Sequence, residues 1–270
     1  MATVQTLTLQ TEHMQASVED GIGWMVFNNP ARHNALSLEM WEGIGDILEH
    51  FAENEGVRVV IMRGAGGKAF VSGADISEFD KERANAAQRE SYGITAGRAT
   101  QWLAKIEKPL IGLIEGYCIG GGLATALSAD VRFATPDSRF GIPAAKLGLG
   151  YEYEGLAKLA RLVGPSRARD MMFSARFMPA REALDMGLIN FIEERDDIEG
   201  ACVSYAKTIA ENAPLTVEAA KAAINAWERG SRTEEVNAVR AMVDACFDSE
   251  DYREGRKAFA AKRKPEFKNR

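Results

Sequence analysis

Cysteine and histidine are scarce in this chain of 270 residues, which has three of each. The cysteines are Cys118, Cys202 and Cys246, and their wide spacing and odd number fit neither a disulfide framework nor a zinc motif. No group of histidines, cysteines and carboxylates has the spacing of metal ligands, so we expect no metal site. This use of cysteine is typical of proteins in a reducing compartment.

A basic excess and a long apolar run are missing as well. The formal net charge of −6 argues against a nucleic-acid-binding protein, which would carry a basic face. No run approaches the ~20 apolar residues of a membrane span, and residues 1–5 have no basic, apolar signal pattern. We therefore expect a soluble, cytoplasmic protein whose partners include neither nucleic acid nor membrane.

Local patterns predict several structural elements. Residues 13–28 alternate in polarity around Asp20-Gly21, which predicts a β-hairpin. Ser37 can cap a helix that runs to about Asn54, with Trp41 in its buried stripe. Short apolar runs predict buried strands at 57–62 and 109–114. Helical patterns follow from Asp196 onward, at 198–212, 216–229, 233–248 and 251–262.

Three consecutive glycines, 120–122, stand between the predicted strand 109–114 and a run of small apolar residues, 123–129, that predicts a tightly packed helix. The first N–H groups of a helix have no partner within it, so a developing negative charge can be held there. Such a turn can form an oxyanion hole, in which backbone N–H groups stabilise an anionic oxygen. The alternative is a glycine-rich turn that only lets helix and strand pack closely.

A second stretch has the same design. Residues 68–79, Lys-Ala-Phe-Val-Ser-Gly-Ala-Asp-Ile-Ser-Glu-Phe, follow the predicted strand 57–62 and place small residues at a strand end. Backbone can approach a ligand closely at such positions. With both stretches present, the chain resembles the crotonase (enoyl-CoA hydratase/isomerase) superfamily over roughly residues 15 to 268. Further matching segments occur in the expected order at 29–37, 129–134, 140–143, 180–189 and 257–267.

The resemblance implies an α/β fold, a crotonase-like spiral of repeated ββα units whose short strands form two roughly perpendicular sheets. The spiral core would span residues 1–195. Residues 196–270 would form a C-terminal helical segment that supports trimerisation, and trimers of this superfamily can pair into hexamers. The expected assembly is therefore a homotrimer or a hexamer.

The resemblance also implies an acyl-CoA substrate, and no cofactor beyond the CoA moiety of that substrate. The backbone N–H groups of Ala74 and Gly121 would grip the thioester oxygen as the catalytic oxyanion hole. The implied substrate-binding residues lie either beside this hole or next to the CoA portion of the substrate. They are Arg32, Ser72, Asp75, Ile76, Gly120 and Lys262. Arg32 would meet the phosphates or pantetheine, Ser72, Asp75 and Ile76 would line the adenine pocket, and Asp75 would also cap the helix that follows it. Lys262 would reach the adenosine phosphate held by another subunit, the alternative being an ordinary charge at a helix end.

The chain departs from the superfamily's hydratases at both of their catalytic glutamates, since Ala124 and Ala144 occupy those positions. General acid–base groups contribute typically ~10²–10⁴ in rate each, so ordinary hydration by that route is not expected. A carboxylate can enter from Glu152, whose Gly-x-Gly-x-acid spacing resembles the nucleophile position of the 4-chlorobenzoyl-CoA dehalogenase branch. Residues two apart point in different directions on a strand or helix, so only one of Glu152 and Glu154 should face the pocket, and we favour Glu152.

Three functions remain open on the sequence. The first is an enzyme that stabilises an enolate or oxyanion and uses Glu152 in an isomerase-like or hydrolase-like reaction, with carbon–carbon hydrolysis and decarboxylation also open. The family resemblance itself implies the lyase or isomerase class. The second is an enoyl-CoA hydratase with relocated acid and base residues. The third is a catalytically silent acyl-CoA binder. Dehalogenation is disfavoured because the pocket helices offer no histidine for that branch's second catalytic group.

Overall fold

The computed structural model describes residues 4–75 and 86–270. Its strands are short, and most alternate between two sheets. They are β1 (Gln5–Thr6), β2 (Met14–Glu19), β3 (Ile22–Phe27), β4 (Val59–Gly64), β5 (Ala69–Val71), β6 (Leu110–Ile114), β7 (Tyr117–Ile119), β8 (Val131–Ala134), β9 (Arg139–Gly141), β10 (Met178–Pro179) and β11 (Phe191–Ile192).

Helices lie between the strand pairs and make up the C-terminal region. They are α1 (Leu38–Glu53), α2 (Ala86–Lys105), α3 (Gly121–Ala126), α4 (Tyr153–Val163), α5 (Pro165–Ser174), α6 (Ala180–Asp185), α7 (Ile198–Ala210), α8 (Pro214–Glu228), α9 (Thr233–Asp248) and α10 (Glu250–Ala260). Two 3₁₀ turns, Pro30–Arg32 and Pro143–Leu147, complete the described elements.

The larger sheet has the strand order β1-β2-β3-β4-β6-β8-β11. Its first two pairings are antiparallel, and the pairings from β3 to β11 are parallel. The smaller sheet has the order β10-β9-β7-β5, with β5, β7 and β9 parallel. Along the chain, β4, β6 and β8 belong to the larger sheet, and each is followed within a few residues by a strand of the smaller one. This alternation is the predicted ββα spiral.

Three sharp corners carry the chain from the larger to the smaller sheet, between β4 and β5, between β6 and β7, and between β8 and β9. The second corner is so tight that a Cβ on Gly116 would lie 2.0 Å from the carbonyl oxygen of Lys68 in the first corner. Gly116 also has a φ of +69°, a conformation that favours glycine. The first two corners therefore pack directly against each other, and this contact aligns the ends of β5 and β7, the strands that follow them.

The buried apolar residues form two clusters. The larger cluster lies between the sheets and the helices and contains side chains of α1, among them Ile44, Leu48 and Phe51. The smaller cluster lies on the other face of the larger sheet, where α7 contributes Ile198 and Cys202. The segment after residue 195 thus contacts the core through its first helix, and the division of the chain at 195/196 stays a prediction.

Several local expectations match the structure. The hairpin β2–β3 turns at Asp20-Gly21, and the side chain of Ser37 accepts a hydrogen bond from Met40 N at the start of α1. Trp41 is buried, and its indole N–H donates to the hydroxyl of Tyr92 at 2.7 Å. The strand expected at 57–62 lies two residues later, at 59–64, because the N–H of Val57 closes a turn onto Asn54.

Within residues 4–75 and 86–270, none of the helices combines the length and apolarity that crossing a bilayer requires. The same described ranges contain no cluster of three or more histidine, cysteine or acidic side chains arranged to hold a metal ion.

Candidate active site

The ends of β5 and β7 meet side by side in the smaller sheet. Ala69 pairs with Tyr117 and Val71 with Cys118, and the chain then leaves both strands on the same side. Residues 72–75 follow β5, and the glycine triplet follows β7. The two stretches that the sequence singled out are therefore neighbours in space.

The glycines of the triplet pack against the backbone of the first stretch. A Cβ on Gly122 would lie 2.1 Å from the carbonyl oxygen of Val71, so only glycine fits there. A Cβ on Gly120 would lie 3.8 Å from the Cα of Gly73, and Gly120 has a φ of +55°. A Cβ on Gly121 would lie 3.7 Å from Ala74 N. This close packing places the Gly121 backbone next to the amide of Ala74.

The N–H groups of Ala74 and Gly121 are not used to hold the fold. Leu36 N donates to Gly73 O at 2.8 Å and Asp75 N donates to Leu36 O at 2.9 Å, so the bonds on either side of Ala74 bypass its own N–H. Gly121 is the first residue of α3 and has no partner within that helix. Among the described residues, neither N–H donates to a protein acceptor. Two adjacent donors of this kind can bind one anionic oxygen.

Arg32, Ser72 and Asp75 surround the same stretch. Arg32 Nη1 lies 2.8 Å from one oxygen of the Asp75 carboxylate and 3.1 Å from the other. Ser72 N donates to His33 O at 3.1 Å, and Ser72 Oγ donates to Arg32 O at 3.4 Å. The structure thus gathers three of the predicted substrate-binding residues beside Ala74. Ile76 and the helix that Asp75 was expected to cap lie outside the described residues.

Ala124 and Ala144 lie close to the triplet and carry no acid. Ala124 is on α3 and is half-buried, whereas Ala144 is buried at the start of the second 3₁₀ turn. The N–H of Gly120 donates to Gly141 O at 2.8 Å, which ties the segment that leads to Ala144 to the triplet. Neither methyl group can transfer a proton.

Glu152 and Glu154 have different surroundings. Glu152 is exposed and immediately precedes α4, without capping that helix by its side chain. Glu154 is also exposed, but it lines a cleft of about 790 Å³ between α4 and α8, together with Lys158 and Glu228. Burial lowers the pKa of Lys158. Because Pro109 and Asp130, at the starts of β6 and β8, line the cleft, it lies away from the strand ends that carry Ala74 and Gly121.

Lys262 is not brought to this site by its own chain. It follows α10 at an exposed position, and Lys264 Nζ lies 2.5 Å from a carboxylate oxygen of Glu211. Nearby, Arg58 donates to Phe267 O at 3.2 Å. Arg58 precedes β4, so the tail lies at the end of the sheet opposite the Ala74 side. A role for Lys262 in binding therefore requires a second subunit and stays a prediction.

Cys118, two residues before Gly120, is fully buried, as the sequence indicated. Burial raises the pKa of its thiol. A thiol with a raised pKa is protonated at neutral pH and is a poor nucleophile. Cys118 is therefore not expected to act as a nucleophile at neutral pH.

One side-chain cluster, at the ends of β5 and β7 opposite Ala74 and Gly121, had no signal in the sequence. The guanidinium of Arg195 lies 2.9 Å from the Glu115 carboxylate and 2.8 Å from the Asp137 carboxylate. These partners are separated from Arg195 by 80 and 58 residues, and each alone resembles an ordinary surface charge. Only the stacking of the corners brings them together.

Comparison with known proteins gives consistent results. A family model described as enoyl-CoA hydratase/isomerase matches residues 17–270. The chain is 35% identical over 256 residues to a short-chain-enoyl-CoA hydratase of Clostridium acetobutylicum, covering 93% of this chain and 96% of that protein. It is 30% identical to a crotonyl-CoA hydratase of Syntrophomonas wolfei, covering 95% and 98%. The crystal structure of an enoyl-CoA hydratase/carnithine racemase from Magnetospirillum magneticum superposes with a TM-score of 0.90 at 37% identity, covering 97% of both chains.

Proposed function

Because the chain belongs to the crotonase (enoyl-CoA hydratase/isomerase) superfamily, we propose that it binds an acyl-CoA thioester with the carbonyl oxygen between the N–H groups of Ala74 and Gly121. The observation that carries this proposal is their adjacency. A Cβ added to Gly121 would lie 3.7 Å from Ala74 N, and neither N–H donates to an acceptor among the described residues. Each donor of an oxyanion hole contributes about 2.7–4 kcal/mol to transition-state stabilisation.

The hole stabilises the negative charge that moves onto the thioester oxygen when a proton leaves a neighbouring carbon. Glu152 is the carboxylate that accepts this proton. In a double-bond isomerisation, its carboxylate takes a proton from one carbon, the electrons pass into a dienolate, and the same group returns the proton to another carbon. One base is sufficient for this cycle, which suits a site with alanine at 124 and 144. In thioester hydrolysis, the same hole stabilises the tetrahedral anion.

Hydration is the second candidate, and the relatives favour it. The proteins at 35% and 30% identity are named as hydratases. In this case Glu152 and one further group would activate water and protonate the alpha carbon. Crotonyl-CoA hydration that stops in Glu152→Gln would establish this candidate, and tight CoA-ester binding without any turnover would instead establish a silent binder.

The CoA portion extends from the hole past Arg32, Ser72, Asp75, Ile76 and Gly120. Lys262 of a neighbouring subunit approaches the adenosine phosphate in a homotrimer or hexamer, and no cofactor beyond CoA takes part. The protein acts in the cytoplasm. Light scattering of the purified protein tests the assembly, and a monomer would remove Lys262 from the site.

The decisive experiment removes one of the two donors of the hole. Gly121→Pro deletes the N–H at the first residue of α3, a position that tolerates proline because that N–H has no helical partner. Thr233→Pro makes the same change at the first residue of α9, on the C-terminal helices, and is the matched control. Turnover is measured on crotonyl-CoA, 3-butenoyl-CoA and butyryl-CoA, which report hydration, isomerisation and hydrolysis.

We expect the reaction that the wild type catalyses to fall by about 10²–10³-fold in Gly121→Pro and to be unchanged in Thr233→Pro. Equal rates in a folded Gly121→Pro protein would contradict the assignment of the hole. Circular dichroism on each variant separates loss of the donor from loss of the fold.

A further inference from the structure

The three corners that lead into β5, β7 and β9 converge on one side chain, that of Arg195. The corners contribute Gly67 before β5, Glu115 before β7 and Asp137 before β9. At the far ends of β5 and β7 the chain continues into Ala74 and Gly121. The positions of the corners therefore determine where β5 and β7 begin, and so where the N–H groups of Ala74 and Gly121 lie.

Arg195 contacts all three corners at once. Its Nη1 donates to Gly67 O at 2.6 Å and to a Glu115 carboxylate oxygen at 2.9 Å, and its Nη2 donates to Asp137 Oδ2 at 2.8 Å. The Glu115 side chain is only 11% exposed, whereas those of Arg195 and Asp137 are 43% and 61% exposed. A Cβ on Gly67 would lie 2.9 Å from Arg195 Nη1, so the contact depends on glycine at that corner.

The backbone carries these contacts to the hole. Tyr117 N donates to Lys68 O at 3.1 Å and Arg139 N donates to Gly116 O at 2.9 Å, which join adjacent corners. β5 and β7 have three residues each, a length of about 10 Å at the usual rise per residue. A displacement of one corner relative to the next therefore reaches the amides with little intervening structure to absorb it.

The contacts favour an arginine over a lysine. A guanidinium presents its N–H donors in a fixed planar fork and can bond several acceptors in different directions, whereas a lysine ammonium acts as a compact point charge. Exposed ion pairs generally add little to stability. The partial burial of Glu115 and the carbonyl acceptor at Gly67 distinguish this cluster from such pairs.

We propose that Arg195 is a positioning residue, which holds the corners before β5, β7 and β9 in register and thereby sets the spacing of the Ala74 and Gly121 N–H groups. The inference rests on the proposed function, because it gives that hole its geometry. Arg195 itself touches no substrate and acts through the strands.

The test measures how well the two N–H groups stabilise a bound enolate, and it does not require turnover. Acetoacetyl-CoA loses an α-proton to form an enolate that absorbs in the near ultraviolet, and a correctly spaced hole lowers the apparent pKa of this ionisation on binding. The variants are Arg195→Met and Arg195→Lys, with Arg181→Met as control, because Arg181 is 78% exposed and pairs only with Asp185 on its own helix among the described contacts. Calorimetric titration with coenzyme A, which has no acyl group, measures binding outside the hole.

We expect Arg195→Met to raise the apparent pKa of bound acetoacetyl-CoA by about one unit, a tenfold loss of bound enolate, since small misplacements of catalytic groups have large effects. Arg195→Lys should fall between Arg195→Met and the wild type, Arg181→Met should match the wild type, and the Kd of coenzyme A should be unchanged throughout. Should Arg195→Met fail to fold, Arg195→Lys and Asp137→Asn, which weaken the cluster without removing it, give the same comparison with a smaller shift.

An unchanged enolate pKa in the folded Arg195 variants would overturn the proposal, even with a lowered melting temperature. A wild-type protein that binds acetoacetyl-CoA without lowering its pKa would instead overturn the proposed function. The two failures are therefore distinguishable.

Discussion

Gly122 gives the sharpest structural prediction, because a single methyl group there has no space. In Gly122→Ala the new Cβ would lie 2.1 Å from Val71 O, 2.7 Å from Val71 Cβ and 2.8 Å from Val71 C. Non-bonded carbon contacts are optimal near 3.5–4.0 Å, so α3 and the end of β5 must separate by roughly 1 Å or more. All three positions are fixed by the backbone of Val71, so no change of rotamer relieves these contacts.

The separation has two consequences. Overpacking of this kind costs about 1–3 kcal/mol of unfolding free energy, which corresponds to a decrease of roughly 2–12 °C in Tm for a chain of this size. Gly121 is the neighbouring residue, so its N–H moves away from that of Ala74. A misplacement of about 1 Å at catalytic groups can cost about 10²-fold in rate, and we expect activity to fall by this amount at temperatures where the variant is folded.

The assay combines differential scanning calorimetry with turnover of the preferred thioester. Gly200→Ala is the matched control, since Gly200 is an exposed residue of α7 and its added Cβ meets nothing within 4 Å. That control should be neutral or gain about 0.5–1 kcal/mol, because alanine is favoured over glycine within a helix. A Gly122→Ala protein with wild-type Tm and turnover would refute the packing of the triplet against β5.

Two further predictions concern titratable groups. Burial raises the pKa of Cys202 to about 12 and raises that of Cys118 as well, whereas Cys246 is partly exposed. At pH 8 a thiol-specific chromogenic reagent should therefore modify one cysteine quickly in the native protein and three in denaturant. Two rapidly modified thiols in the native protein would contradict the burial of Cys118 and Cys202. A hydrogen bond from Arg263 lowers the pKa of Glu254 to about 2 from its usual 4.5, so its contribution to stability is complete above about pH 4.5 and is lost as the pH falls toward 2. The Tm of Glu254→Gln should consequently fall less between pH 5 and pH 3 than that of the wild type, and parallel curves would contradict the assignment.

Much of the fold could be predicted because its signals are local. The Asp20-Gly21 turn, the Ser37 cap and the helices after Asp196 each depend on residues close together in sequence, and the structure places elements there with ends shifted by up to two residues. Ala74 and Gly121 could be predicted as site residues because glycine-rich segments follow two predicted strands and because these segments match the family.

The remainder depends on contacts between distant residues. β5, β7 and β9 have three residues each. This length is too short to show an alternation of polar and apolar residues, so the individual strands of the smaller sheet could not be predicted from the sequence. The corner cluster at Arg195 joins residues 58 to 128 apart, and no periodicity connects them. The surroundings of Glu154 likewise depend on where α8 packs.

The proposed function depends on two main-chain amides that bind one thioester oxygen. Isotope-edited infrared spectroscopy of butyryl-CoA labelled with carbon-13 at the thioester carbonyl tests it directly, because hydrogen bonds from two donors weaken that C=O bond. We expect the carbonyl stretch to shift to lower frequency on binding to the wild-type protein and most of this shift to be lost in Gly121→Pro. A bound carbonyl with the same frequency as in water, or an equal shift in both proteins, would contradict it.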